Sequence, residues 1–155
     1  MIKLLRVDHR LLHGQVAFSW TSHLSADCIL LASDSLLQDE LRLTSVKIAR
    51  PSGVKLVVKN IVDSIQAIQS GVTDKYKLFI VTDTIADAVK IAEAADLKLI
   101  NLGGTKSAPE KKKLSKAIYV TEQEEALLRQ CLQKNIELRI QMIPSEKKIN
   151  AQTIL

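Results

Sequence analysis

No stretch of this sequence stays apolar long enough to cross a bilayer. Its most apolar runs, CILLA at Cys28 to Ala32 and LFIV at Leu78 to Val81, fall far short of the ~20 residues that a membrane-spanning helix needs. The amino terminus also lacks the charged, apolar and small-residue sections of a signal peptide and runs straight into a strand-like pattern, so the cytoplasm is the expected compartment. Cysteine is scarce. Cys28 lies in an apolar run and Cys131 on a helical pattern, with no CxxC and no Cys/His ligand spacing. That argues against a disulfide framework or a zinc site and predicts buried or partly buried free thiols. No metal and no cofactor is expected. Aromatic residues are only 3% of the chain, and none interleaves with its densest basic run, EKKKLSK at Glu110 to Lys116. Without stacking platforms the net charge of +5 gives no case for nucleic acid, and the run reads as a solvated loop.

What remains is an ordinary globular composition, with 46% apolar and 25% charged residues over 155 positions. That length predicts a single domain, 1–155, with a core large enough to hold without disulfides. Short β-like runs alternate with longer stretches of helical period, the pattern of βα units around a mostly parallel sheet. Strands are predicted near Ile2 to Val7, Cys28 to Ala32, Lys55 to Lys59, Lys77 to Thr82, Lys98 to Leu102, Ala117 to Val120 and Ile136 to Gln141. The fold class is therefore α/β, an open, mostly parallel sheet of about six or seven strands with helices on both faces. Ser35 with Gln38, Thr84 with Asp87 and Thr121 with Glu124 fit the capping-box spacing of helix starts, and Asn60 and Asp83 stand beside such starts. Val16, Trp20 and Leu24 recur every fourth residue on the first helix, a stripe that should face the sheet and make Trp20 core. RPSG at Arg50 to Gly53 and SAPEKKK at Ser107 to Lys113 read as loops.

In such sheets ligands sit outside the carboxyl ends of the strands, where helix N-termini offer unpaired amides. That rule assembles the turn Asp8 to Gly14, the Ser33-Asp34 turn, Asn60, Thr82-Asp83-Thr84 and NLGGTK at Asn101 to Lys106. The first is the densest in ionisable groups: RVDHRLLHGQV, Arg6 to Val16, holds two arginines, an aspartate and two histidines. A neutral imidazole at a helix N-terminus suits a nucleophile, because the positive end of the macrodipole disfavours the imidazolium form. Arg6 and Arg10 offer planar forks that match phosphate oxygens. With the amides of Gly14 and Gln15 they supply the in-line nucleophile and charge compensation that phosphoryl transfer needs, without a metal. Asp8 is placed to orient an arginine or to hold an imidazole N–H. His13 is thus the candidate nucleophile, with Arg6, Asp8 and Arg10 around it. Gly14, Gln15, Thr84, Gly103, Gly104 and Thr105 are candidate phosphate contacts. His9 reads as exposed, and His23 lies off the apolar stripe.

This opening resembles the active-site signature of IIB components of the mannose, fructose and sorbose type of the bacterial sugar phosphotransferase system. The fixed positions of that signature are met by Arg6, Asp8, Arg10, His13, Gly14 and Gln15, and the likeness extends through NLGG, AIYV and QMIP at Gln141 to Pro144. It implies a phosphoryl carrier. His13 would take a phosphoryl group from a IIA component and pass it to a sugar entering through membrane IIC and IID components, which this chain would join from the cytoplasm. His9 departs from the acid of many relatives and Thr105 from an apolar residue. The resemblance names no sugar, and no helix carries a sustained a/d seam that would fix whether a homo-oligomer forms. Two rival classes stand beside it. A nucleotide- or phosphate-binding α/β module without phosphohistidine chemistry is one, although NLGGTK is neither GxGxxG nor a P-loop. The other is a basic protein that binds an acidic partner, with His13 a mere helix cap.

Overall fold

Every residue of Cys28–Ala32 and of Leu78–Thr82 is buried, as strands covered on both faces require. The computed structural model describes residues 1–155 and places these runs side by side as interior strands of a seven-stranded sheet. In chain order the elements are β1 (Ile2–Asp8), α1 (Gly14–Leu24), β2 (Cys28–Ala32), α2 (Glu40–Ile48), β3 (Lys55–Lys59), α3 (Ile61–Ser70), β4 (Leu78–Thr82) and α4 (Ile85–Ala94). They continue with β5 (Leu99–Gly104), β6 (Lys112–Ser115), β7 (Ile118–Val120), α5 (Glu122–Gln133), β8 (Glu137–Ile140) and β9 (Ile149–Asn150). The sheet order is β3-β2-β4-β1-β5-β8-β9, parallel except for the short terminal β9.

Two hydrophobic clusters, one on each face, hold the layers. Ala17 and Trp20 of α1 and Val46 of α2 pack with Ile29, Leu31, Phe79 and Val81. Ile61, Ile85, Ala88, Ile91 and Leu128 of α3, α4 and α5 pack with Leu5, Leu30, Ile80 and Ile100. Alternate residues of one strand serve opposite clusters, so each buried Leu or Ile contributes ~1.5–3 kcal/mol to joining the sheet to a different helix layer. The helix that follows β1 thus covers one face while those that follow its neighbours β4 and β5 cover the other, which makes the carboxyl end of β1 a topological switch point.

Trp20 is core, as its stripe predicts, and donates from Nε1 to the carbonyl of Met142 at 2.8 Å. The Thr121–Glu124 capping box is complete, and the Asn60 and Thr84 side chains cap α3 and α4. Both cysteines are free and buried, and burial pushes both thiols up. No helix is long and apolar enough to cross a membrane.

Three expectations are corrected. Ser35 does not cap a helix through its side chain: it precedes a short 3-10 turn, Leu36–Gln38, and α2 starts later with Asp39 accepting from the Arg42 amide at 3.1 Å. The Ser35 oxygen accepts instead from the Arg42 guanidinium at 3.0 Å while its hydroxyl donates to the Asp83 carboxylate, charge-assisted bonds that outweigh one to a neutral amide. The strand at Ala117 to Val120 exists but lies outside the main sheet, because β7 pairs antiparallel with β6 in a separate hairpin. Its partner β6 takes up Lys112 and Lys113, which read as loop.

Candidate active site

β1 delivers its side chains alternately to the two faces, and at its last turn two polar groups are drawn inside. Arg6 and Asp8 are each 1% exposed, so each must find partners or cost several kcal/mol. Arg6 Nη1 donates to Asn101 Oδ1 at 2.7 Å and to the Gln141 carbonyl at 3.0 Å, while Nη2 donates to Asp8 Oδ2 at 3.1 Å. Its guanidinium also stacks over Trp20 at 5.3 Å. Gly103 makes the space, because a Cβ there would lie 2.1 Å from the Arg6 guanidinium carbon. Burial pulls the Arg6 pKa down while Asp8 pulls it back, and an arginine keeps its charge throughout.

Asp8 is the junction. Beyond Arg6 it accepts the Arg10 amide on Oδ1 at 3.0 Å and meets His13 Nε2 with Oδ2 at 2.9 Å. Burial alone would raise its pKa, but the His13 bond, the Arg6 charge and the Arg10 amide outweigh it and hold the carboxyl below its ordinary value. An ionised carboxylate only accepts, so the proton between the pair belongs to His13 Nε2, and in the neutral imidazole Nδ1 is the nitrogen that carries the lone pair.

The intervening loop is held by its apolar residues. Leu11 and Leu12 are buried in the α1 face cluster, the Leu11 amide donates to the Asp8 carbonyl at 2.8 Å, and Leu11 takes a left-handed φ of 59°. His13 is then the extended N-cap of α1, its side chain making no cap hydrogen bond. Gly14 has a φ of +42° with open space where a Cβ would stand, so backbone conformation rather than crowding requires glycine. Gly14 and Gln15 are exposed, and their amides open the helix without intrahelical acceptors.

The predicted residues divide into groups. Arg6, Asp8, Arg10, His13 and Gly103 are brought together, but Arg6 is not the solvent-facing fork expected, since its burial commits it to positioning Asp8. Arg10, with its side chain 53% exposed, is the arginine free to meet an anion. Gly104 accepts the His9 amide at 3.0 Å and lies against Asp8 and His9. Thr105 is turned away: its hydroxyl donates to the Tyr119 carbonyl at 2.8 Å and accepts the Tyr119 amide, so it ties β5 to the hairpin and is not a spare donor. Thr84 follows the strand beside β1, and its hydroxyl accepts the Asp87 amide as the α4 cap. His9 is half-buried rather than exposed, with Nδ1 4.0 Å from Asp8. Sequence reasoning missed the anchoring of Arg6 by the Asn101 side chain, the Gln141 carbonyl and Trp20. Those partners stand up to 135 residues away, and no local pattern announces them.

Fold and site define a parallel α/β protein with an imidazole at a helix N-terminus, its far nitrogen bound by a buried carboxylate and an exposed arginine close by. Residues 2–155 match the family described as PTS system sorbose subfamily IIB component, and the chain belongs to that family. It is 30% identical over 162 residues to a probable phosphotransferase enzyme IIB component of Streptococcus pyogenes, covering 100% of this chain and 99% of the relative. It is 31% identical to the sorbose-specific EIIB component of Lacticaseibacillus casei, covering 94% and 90%. The crystal structure of the IIBSor domain of the Klebsiella pneumoniae sorbose permease superposes with a TM-score of 0.90 at 26% identity, covering 97% of this chain and 93% of that one. The chain is thus a IIB component with a phosphotransferase role in sugar transport.

Proposed function

We propose that His13 is the phosphoryl acceptor and donor of this component, reacting through Nδ1. The observation that carries this is the 2.9 Å contact between His13 Nε2 and Asp8, which selects the tautomer whose Nδ1 lone pair stands at the open start of α1. The Nδ1 lone pair attacks phosphorus on the phosphohistidine of a IIA component, an N–P bond forms as the donor's breaks, and the departing electron pair returns to the donor imidazole. His13 keeps its Nε2 proton and becomes a cationic ring, which Asp8 stabilises. Arg10 and the amides of Gly14 and Gln15 compensate the charge on the equatorial oxygens. Transfer to a sugar reverses this order: the sugar oxygen bonds to phosphorus as the N–P bond breaks back onto Nδ1, and the hydroxyl proton passes to water. Arg6 touches none of the reacting atoms and positions Asp8. The sugar is reached through membrane IIC and IID components, which this chain meets from the cytoplasm.

The test is incubation with labelled phosphoenolpyruvate, the general phosphotransferase proteins and the IIA component. Wild-type, His9→Ala and His23→Ala proteins should all acquire acid-labile label, and His13→Ala should acquire none. A labelled His13→Ala protein would remove the assignment.

A further inference from the structure

Two polar turns singled out by the sequence, Ser33-Asp34 and Thr82-Asp83-Thr84, take no part in the Arg6–Asp8–His13 chain. Two of their residues have plain local duties. Asp34 Oδ1 accepts the Ile61 amide at 2.9 Å at the start of α3, and Thr84 caps α4. Ser33 has one as well, its oxygen accepting the Leu36 amide at 3.1 Å, but its hydroxyl proton and the Asp83 carboxylate are turned elsewhere. Asp83 Oδ2 accepts the hydroxyls of Ser33 and Ser35, each at 3.0 Å, and pairs with Arg42 Nη2 at 3.4 Å. Arg42 Nη1 donates to Ser35 Oγ at 3.0 Å, and Nη2 also reaches the His9 carbonyl at 3.4 Å. A guanidinium from α2 is therefore pinned by the turns after β2 and β4 and presses on the loop that follows β1.

The residue it reaches matters. The His9 carbonyl belongs to the same planar peptide unit as the Arg10 amide, and that amide donates to Asp8 Oδ1. The unit is gripped at both ends, by Arg42 on oxygen and by Asp8 on nitrogen. Turning the plane would break both bonds together, loosening the carboxylate that fixes His13 and re-aiming the Arg10 side chain. The loop has reason to need a grip, since it holds Leu11 in a left-handed conformation, a strained state that persists only where its surroundings fix it.

We infer that Arg42 is a positioning residue for phosphoryl transfer, holding the His9–Arg10 peptide so that Asp8 and Arg10 stay aimed at His13 and its phosphoryl group. This rests on the reading of His13 as the acceptor. Asp83, Ser33 and Ser35 serve by fixing the guanidinium, whose planar fork spans three acceptors where an ammonium would not.

The experiment compares Arg42→Gln and Arg42→Lys with wild type in single-turnover transfer from phosphorylated IIA, over a range of IIA concentrations. Amide exchange at Arg10 is followed in the same proteins without phosphate. Arg42→Gln should lower the maximal rate at least ~10-fold while the half-saturating IIA concentration changes less than about twofold, and Arg10 exchange should quicken. Arg42→Lys, which keeps the pair with Asp83, should fall between. Where Arg42→Gln fails to fold, Arg42→Lys decides, with a slowed maximal rate and faster exchange supporting the inference. A wild-type maximal rate, or a loss confined to the half-saturating concentration, overturns it, the latter because Arg42 would then touch the donor protein. The exchange measurement involves no transfer, so it remains readable if His13 proves not to be the acceptor.

Discussion

Asp8 makes the site at the scale of single residues, and it can be tested without any partner protein. Replacing it by Asn keeps the shape but puts an NH₂ where one of three donors now points, and it leaves the buried Arg6 without a counter-charge. Breaking such a pair costs about 3–5 kcal/mol, so Asp8→Asn should lower the urea unfolding free energy by about 3 kcal/mol. Because the folded chain holds the Asp8 carboxyl below its ordinary value, its ionised form is favoured by folding. That stability is present above the unfolded pKa of ~3.9 and drains away as pH falls through the lower folded value. The stability difference between wild type and Asp8→Asn should therefore be flat above about pH 5 and shrink below about pH 4; a gap that instead widens toward acid would contradict the ionised assignment. Gly103→Ala tests the same construction from the other side. A methyl group 2.1 Å from the Arg6 guanidinium carbon forces Arg6 to move, costing ~1–3 kcal/mol or more. Gly14→Ala meets no atom, so its cost should stay near the ~1–2 kcal/mol of a left-handed residue.

Among the elements, the sequence was legible wherever the signal was local. Thr121 with Glu124 and Asn60 announce helices because a cap is read over three residues. Cys28–Ala32 and Lys55–Lys59 announce strands because β-branched and apolar runs have few other uses. Ser35 misled for a nonlocal reason, its hydroxyl being taken by Asp83 48 residues on. The β6–β7 hairpin was hidden likewise, since a strand's sequence does not say which sheet it joins. Thr105 binds that hairpin to β5 through the Tyr119 backbone. Thr105→Val removes both bonds to Tyr119 and should cost ~1–3 kcal/mol and quicken amide exchange at Tyr119. Phosphorylation of His13 should proceed at the wild-type rate, whereas a slowed rate would return Thr105 to the phosphate site.

Across the whole molecule, the order β3-β2-β4-β1-β5-β8-β9 places β1 where the covering helices change face, and open parallel sheets take their ligands in the crevice at such a carboxyl end. The position proposed for the site is legible because this rule follows from parallel topology, and the opening motif carries the chemistry proposed for it. What could not be read was the division of labour between the two arginines, which is set by Asn101, Gly103 and Gln141 on β5 and just beyond β8. Sequence neighbours cannot show that one arginine is swallowed by strands yet to come. The assembled site makes a claim about a single atom: the phosphoryl group belongs on His13 Nδ1, because Asp8 holds Nε2. The most direct measurement is ¹⁵N–³¹P correlation NMR of the ring-labelled protein after phosphorylation by IIA. Phosphorus coupled to Nδ1 of His13, with Nε2 still protonated, is the predicted result; phosphorus on Nε2 of His13, or on His9 or His23, would contradict it.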